Sequence, residues 1–544
     1  MDFQRIFLFL IFSFSIFLLW EGWQKENQPA PVKLSATTTP VASQVIETKT
    51  VKSPQTPTLS TAKALQTGEI ITVQTDFFKA EINTVGGDIR RIELLKHFDI
   101  TDKSKPFVLL EQREGHTYIA QSGLLGSGLP THNTLFSSKN QRYELLDGQD
   151  ALEVRLVSDE GSGTKVLKTL SFHRASYLID VSYEIENHSK EKVIASAYFQ
   201  LVRDDVEPVG GTMFVPTYTG PATYTELDKF QKIDFPSIAK NKANSPKPAD
   251  NGWAGMLQHY FVSAWIPQGN TLREFYTKQL ENKLYSVGLI LPIAEIDLGK
   301  TGTISVPLYV GPAQSNLDSI APGLGLTVDY GFLTIIAKPI FWLLTAIFGL
   351  VQNWGFAIII LTILIKLVFF PLSAASYRSM AKMRVVAPKL AKIKEQFGDD
   401  RERLNRAMMD LYKTEKINPL GGCLPVVIQI PVFISLYWAI LASVEMRYAP
   451  FFGWITDLSR ADPYYILPVI MGVSMLIQSK LNPTPPDPMQ AKLMQIMPIA
   501  FSVVFFFFPV GLVLYSVVNN VLSIAQQWYI TRNIENAANG VAKN

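Results

Sequence analysis

Three hydrophobic patterns follow one another along the chain. Residues 6–23, IFLFLIFSFSIFLLWEGW, are almost continuously apolar. From 67 to about 322, apolar and polar positions alternate, as in EIITVQTDFFKAEI, ALEVRLVSD and YLIDVSYEIENHS, with breaks at Gly86-Gly87 and Asn187. Period two marks half-buried strands, so 67–322 is predicted to be a large β domain, built as a sandwich. Beyond 328 the chain turns apolar again. Runs at 352–371, 420–442, 463–480, 491–508 and 510–529 are each long enough for a membrane-spanning helix.

The intervals between these runs have patterns of their own. Residues 25–66 hold little besides Pro, Thr, Ser, Ala, Lys and Val. Such a composition buries no core and predicts a flexible linker. The segment 323–350 mixes Lys338 and Pro339 with aromatic residues and fits an interfacial amphipathic helix on the outer membrane surface better than a span. In the 380–416 stretch, Met383, Val386, Leu390, Ile393 and Phe397 follow a 3-4-3-4 spacing. Gly398-Asp399-Asp400 breaks the seam, and Leu404, Met408 and Leu411 resume it, which predicts an antiparallel helical hairpin.

Charge orients these elements. The hairpin region carries Arg378, Lys382, Arg384, Lys389, Lys392, Lys394, Arg401, Arg403, Arg406, Lys413 and Lys416. A short, strongly basic loop belongs in the cytoplasm. Residues 1–24 then read as an uncleaved N-terminal anchor: Arg5 precedes the apolar run, and no small-x-small cleavage site follows it. Both termini are expected in the cytoplasm and the β domain outside, in the periplasm of a bacterial inner membrane. The core of five transmembrane helices at 351–530 plus the anchor makes six, and 531–544 is left as a short cytoplasmic tail.

Composition narrows the chemistry. A net charge of +3 over 544 residues gives no reason to expect nucleic acid as a partner, and one cysteine, Cys423, allows no intrachain disulfide. His116, His132, His173, His188 and His259 are scattered without metal-like spacing, and the acidic residues of the β domain are explained by solvated strand faces. No GxxxxGK[ST] motif is present, so no nucleotide, metal or other cofactor is expected.

The awkward residue is Lys366, inside AIIILTILIKLVFFPL. A lysine at the centre of a membrane helix costs about 2.5–3.5 kcal/mol on the insertion scale. Alone, it could snorkel to the interface, as Lys480 is expected to. Its neighbours in depth argue otherwise. Lys366 is about 7.5 Å from the inner end of its run, with Thr362 one turn deeper, and Gln429 is about 13 Å deep in the next. Ser516, Asn519, Asn520 and Ser523 form a stripe in the cytoplasmic half of the last run. Polar groups at one depth on three helices suggest a shared hydrated groove, closed outward where FSVVFFFFPVGLVL offers no polar path. Two alternatives are polar glue between helices, and a transporter or channel that uses the lysine to bind an anion.

NPLGGCLPVVIQIPVFISLYW, DPYYILPVIMG, DPMQAKLMQIMP and PVGLVLYSVVNN closely resemble the YidC/Oxa/Alb family of membrane protein insertases, densely over 330–530. The order of anchor, linker, β domain, interfacial helix and five-span core resembles the Gram-negative YidC form, whose outer domain is a β-supersandwich. The resemblance implies an insertase and membrane chaperone rather than an enzyme. It implies a groove, open to cytoplasm and lipid, that receives the polar segment of an incoming protein while its apolar helix slides along the third and fifth core helices. On this view Lys366, Thr362, Gln429, Ser516, Asn519, Asn520, Tyr515 and Phe433 form the substrate groove. The hairpin, with Lys382, Arg384, Lys389, Lys392, Lys394, Arg401 and Arg403, meets a ribosome or targeting receptor, and the Sec translocon is a further partner. Three features depart from the family. Lysine stands at 366 where arginine is usual, Ser516 follows Tyr515 where a second tyrosine is common, and the tail ENAANGVAKN lacks a long basic extension.

Overall fold

The computed structural model describes residues 67–541, except 101, 160–162, 209–217, 315, 398–399, 416, 418–423 and 483–487. The expected anchor (1–24) and linker (25–66), together with Lys416 and Cys423, lie outside the described residues.

Alternation in the sequence becomes two nine-stranded sheets. One runs, in spatial order, through Glu274–Gln279, Leu284–Pro292, Ser196–Asp204, His116–Leu125, Pro106–Arg113, Asp88–Phe98, Phe78–Asn83, Ile70–Gln74 and Arg142–Glu144. The other includes Ala151–Asp159, Thr164–His173, Leu178–Asn187 and Thr301–Pro312 as adjacent antiparallel strands. In Thr164–His173 every second residue points inward: Thr164, Val166, Lys168, Leu170 and Phe172 are buried. Val166, Leu170 and Phe172 join Ile71, Phe78, Ile92, Val181 and Leu201 in the apolar layer between the sheets. Burying such side chains contributes roughly 1.5–3 kcal/mol each.

The layer is not purely apolar, and here the expectation of solvated acidic faces fails. Asp88 is fully buried, accepts a hydrogen bond from Gln121 Nε2 at 2.7 Å, and lies 3.9 Å from Arg90 Nη2. Lys168, equally buried on the facing sheet, donates to the Gly86 carbonyl at 2.8 Å. Burial raises the Asp88 carboxyl and lowers the Lys168 amine, and their attraction opposes both shifts. The Gly86-Gly87 turn makes this approach possible. Both residues have positive φ (77° and 61°), and a Cβ on Gly86 would lie 2.4 Å from the His132 carbonyl oxygen.

The C-terminal half is helical. It contains α1 (Thr334–Val351), α2 (Trp354–Val368), α3 (Phe370–Phe397), α4 (Arg401–Thr414), α5 (Leu424–Ala442), α6 (Ile466–Leu481), α7 (Pro488–Phe505) and α8 (Val510–Val541). The long α8 packs against α2, α3, α5 and α6, and α1 packs against α2 and α5. A close approach holds the N-terminal end of α2. A Cβ on Gly355 would fall 2.0 Å from Phe451.

Element boundaries differ from the apolar runs in four places. The helix expected over 323–350 begins at Thr334, after three short 3₁₀ turns. The 352–371 run is not one rod: α2 and α3 meet at Phe369 with a 66° bend. Pro371 sits in the first turn of α3, where the missing N–H costs nothing. The first arm of the hairpin is the uninterrupted continuation of α3, and α4 is capped by Asp400, which accepts from the N–H groups of Glu402 and Arg403. Their seam buries Val386 and Leu390 with Ile417, alongside Met383, Met408, Leu411 and Tyr412. Ile393, Phe397 and Leu404 are only half-buried. Finally, α8 continues to Val541, so residues 531–541 are helix rather than a separate tail.

By length and apolarity, α1 alone among the described helices would reach across a membrane, and α2 with α3 would do so as a bent pair. The apolar stretches Val427–Ala442, Ile466–Leu481 and Gln495–Phe505 are shorter.

Candidate functional site

The bend between α2 and α3 opens a cleft beside α5 and α8. About 360 Å³ of empty space lies there, partly open to the surroundings. It is lined by Ile365, Lys366, Phe369 and Leu372 from the bend, Ile428, Gln429 and Val432 from α5, and Tyr515 and Asn519 from α8, with Ser373 beside them. Apolar walls with a few convergent polar groups are the usual make-up of a recognition site.

Lys366 is the cation of this cleft. Its Nζ donates to Ser523 Oγ at 2.6 Å, and Ser523 Oγ in turn donates to the Asn519 carbonyl at 2.7 Å. The amine is thus tied to α8 inside the helix bundle. Opposite it, Gln429 Nε2 donates to the Tyr515 hydroxyl across 3.4 Å. Gln526 Nε2 reaches the Phe370 carbonyl at 3.2 Å and helps satisfy the backbone at the bend.

The expected groove residues divide into two groups. Lys366, Gln429, Tyr515 and Asn519 line the cleft together. Thr362, Ser516, Asn520 and Phe433 do not. Thr362 is fully buried and its hydroxyl donates to Ile358 O at 2.6 Å, while Ser516 returns a bond to Leu512 O at 2.9 Å. A hydroxyl can bond the carbonyl four residues back, and these two are occupied that way. Asn520 faces α6, donating to Ser474 Oγ at 2.9 Å. Phe433 packs behind the wall against Phe505 and Tyr515, with ring centroids 6.4 Å from each.

Ser373 was missed. It lies seven residues beyond Lys366, on α3 across the bend, and the i, i+7 spacing within the apolar run was the available signal. The hairpin cations lie away from this cleft: Lys389 pairs with Glu415 at 2.6 Å, and Arg403 with its cap Asp400 at 3.1 Å. Arg384 bridges to α8 through Glu535 (3.4 Å) and donates to the Lys480 carbonyl at the end of α6. Lys382, Lys392, Lys394 and Arg401 lie on the same two helices, α3 and α4. Among the described residues, no cluster of His, Cys, Asp or Glu could hold a metal ion.

Comparisons with known proteins cover both halves. Residues 70–343 match the family described as the YidC periplasmic domain, and residues 346–537 match the 60Kd inner membrane protein family. The chain is 54% identical to the membrane protein insertase YidC of Nitrosospira multiformis, over 100% of this chain and 99% of the relative. It is 55% identical to the same-named protein of Dechloromonas aromatica, over 100% and 99%. A solved structure, the active YidC insertase with its first transmembrane domain resolved, is 19% identical over 86% of this chain and 95% of its own, with a TM-score of 0.39.

Proposed function

The chain belongs to the YidC family of membrane protein insertases, inner membrane proteins with a β-rich periplasmic domain, and from this premise we infer that its cleft at Lys366 receives the substrate. Its substrates are membrane proteins. The polar segment of an incoming chain enters between α2, α5 and α8 and meets Lys366, Gln429, Tyr515 and Asn519. A hydrated cleft shortens the apolar barrier, so less charge is desolvated at once. Partitioning of the substrate's apolar helix into lipid then drives release, along the faces of the core helices. One observation carries this reading: Lys366 lines a largely apolar cleft with Gln429, Tyr515 and Asn519, and its amine is held across the bundle by Ser523 of α8.

The topology belongs to the same proposal. α2, α5, α6, α7 and α8 are the five spans of the core, thinner than an average bilayer where α2 is only 15 residues long. The basic hairpin of α3 and α4 is cytoplasmic, as are both termini, and the β domain is periplasmic. α1 lies along the outer surface although it is long enough to cross. If it crossed, α2 would return at once, and the β domain and hairpin would share one side. Its one buried stripe, Ala337, Phe341, Leu344 and Ile347, faces the core, while Ile335, Trp342 and Leu350 are left for lipid. A ribosome or targeting receptor meets the hairpin, and Sec translocon components flank the core.

The test is insertion of a single-span substrate with an acidic outer segment. Lys366→Ala is expected to reduce insertion roughly tenfold, equivalent to about 1.4 kcal/mol, and Lys366→Arg to retain it. Insertion by the alanine variant at the wild-type rate overturns the role of the charge.

A further inference from the structure

The loop that follows α5 does not merely connect α5 to α6. It grips the β domain. Arg447 donates to the Phe98 carbonyl at 2.9 Å, Tyr448 donates to Asp99 O, and Arg460 donates to Ile100 O. Lys103 reaches back to Thr456 Oγ1 at 3.4 Å, and Phe98 packs edge-on against Tyr448. The partners Phe98, Asp99, Ile100 and Lys103 belong to the connection between strands Asp88–Phe98 and Pro106–Arg113.

Arg447 is the centre of this joint. Its guanidinium lies within 5.4–5.6 Å of four ring centroids: Phe107, Tyr260 and Phe261 from the β domain, and Tyr448 from its own loop. Aromatic faces suit a planar cation that gives up water. Two histidines are built into the wall of the same cage. His97 meets Phe261 edge-on at 5.4 Å and is hydrogen-bonded to the Tyr177 hydroxyl at 2.9 Å. His259 stacks on Tyr260 at 3.7 Å and, through Nε2, donates to the Leu441 carbonyl at the end of α5, at 3.2 Å.

We propose that this joint is an acid-released latch, in which protonation of His97 and His259 beside the caged Arg447 detaches the β domain from the outer ends of α5 and α6. The latch does not depend on what the inner cleft binds. A cage that holds one cation tightly has no place for two more at its wall. The other ionisable groups around it offer little compensation. Asp457 sits 3.7 Å from Arg460, Asp102 pairs with Lys105, and Asp99 belongs to the gripped connection. Lys103 and Arg460 add positive charge, Tyr177, Tyr260 and Tyr448 are phenols, and Glu445 is a carboxyl raised by burial.

The sign follows from the direction of the shifts. Burial first, and the Arg447 charge as well, hold both imidazoles down to about 4 in the closed joint, against 6.5 when free, although the Leu441 carbonyl pulls His259 the other way. The open joint therefore binds more protons. Closure is at full strength above about pH 6.5 and weakens as pH falls towards about 4. At about pH 5 a histidine that regains its free value on opening weakens it by roughly thirtyfold, and His97, whose Tyr177 and Phe261 contacts stay within the β domain, weakens it by less.

Spin labels placed at exposed Leu298 and Phe452 of the full chain in lipid vesicles, with Cys423 replaced by alanine, read the joint as a distance distribution. At about pH 7.5 the distribution is expected to be narrow, and at about pH 5 broad. The double variant His97→Gln/His259→Asn should stay narrow at both. Asparagine suits the left-handed backbone at 259, where φ is 44°. Arg447→Ala should be broad at both, with thermal unfolding of the β domain unchanged as the check on folding. A wild-type distribution that ignores pH, or a double variant that broadens as much as wild type, overturns the latch.

Discussion

At the scale of single residues, level along the helices was legible and direction was not. Counting residues from the ends of the apolar runs put Lys366, Gln429 and Asn519 at one level, and all three line the cleft. The same count put Thr362, Ser516 and Asn520 there too. Those side chains are claimed by their own helix or by α6, which no spacing rule reports. The Ser523 hydroxyl therefore deserves the role given to a deeper Thr362. Ser523→Ala leaves the Lys366 amine without its short bond and frees it to seek water. Insertion should fall by roughly threefold, about 0.6 kcal/mol or the worth of a modest hydrogen bond. Thr362→Val should change it less. The comparison is a single insertion assay, and a larger loss at Thr362 than at Ser523 would reverse this assignment.

At the scale of elements, periodicity revealed the strands and helices but not their joints. The strands Ala151–Asp159 and Leu178–Asn187 stand where the alternation put them, because one face of each is buried against the other sheet. The 66° bend at Phe369 was hidden, since proline in the first turn of α3 disturbs neither helix and the run stays apolar across it. The bend is what creates the cleft. The hairpin seam was half legible: Val386 and Leu390 are buried, but Tyr412 and Ile417 come from positions outside the spacing. Leu390→Ala should loosen the hairpin by about 2 kcal/mol. Limited proteolysis between α3 and α4 reads this directly, and cleavage should quicken without change in the β domain.

At the scale of the whole molecule, the β domain and the core are separate in composition but share one buried apolar cluster, from Trp253 and Tyr309 through Leu317 and Leu324 to Phe341 and Leu436. Nothing in the alternation of 67–322 pointed to Phe98, Asp99 and Ile100, because an interdomain grip made of backbone carbonyls, two arginines and a tyrosine has no period. Deleting residues 67–300 should leave insertion active, since the cleft is built entirely from α2, α3, α5 and α8. Loss of insertion on that deletion would place essential work in the β domain. The central claim remains that the Lys366 cleft is where substrate enters. The most direct measurement is photo-crosslinking from neighbouring α8 positions to a stalled nascent membrane protein. A crosslinker at Asn519, which lines the cleft, is predicted to capture the nascent chain, and one at Asn520, which faces α6, is predicted not to. Equal capture from both positions, or capture from Asn520 alone, would contradict the account.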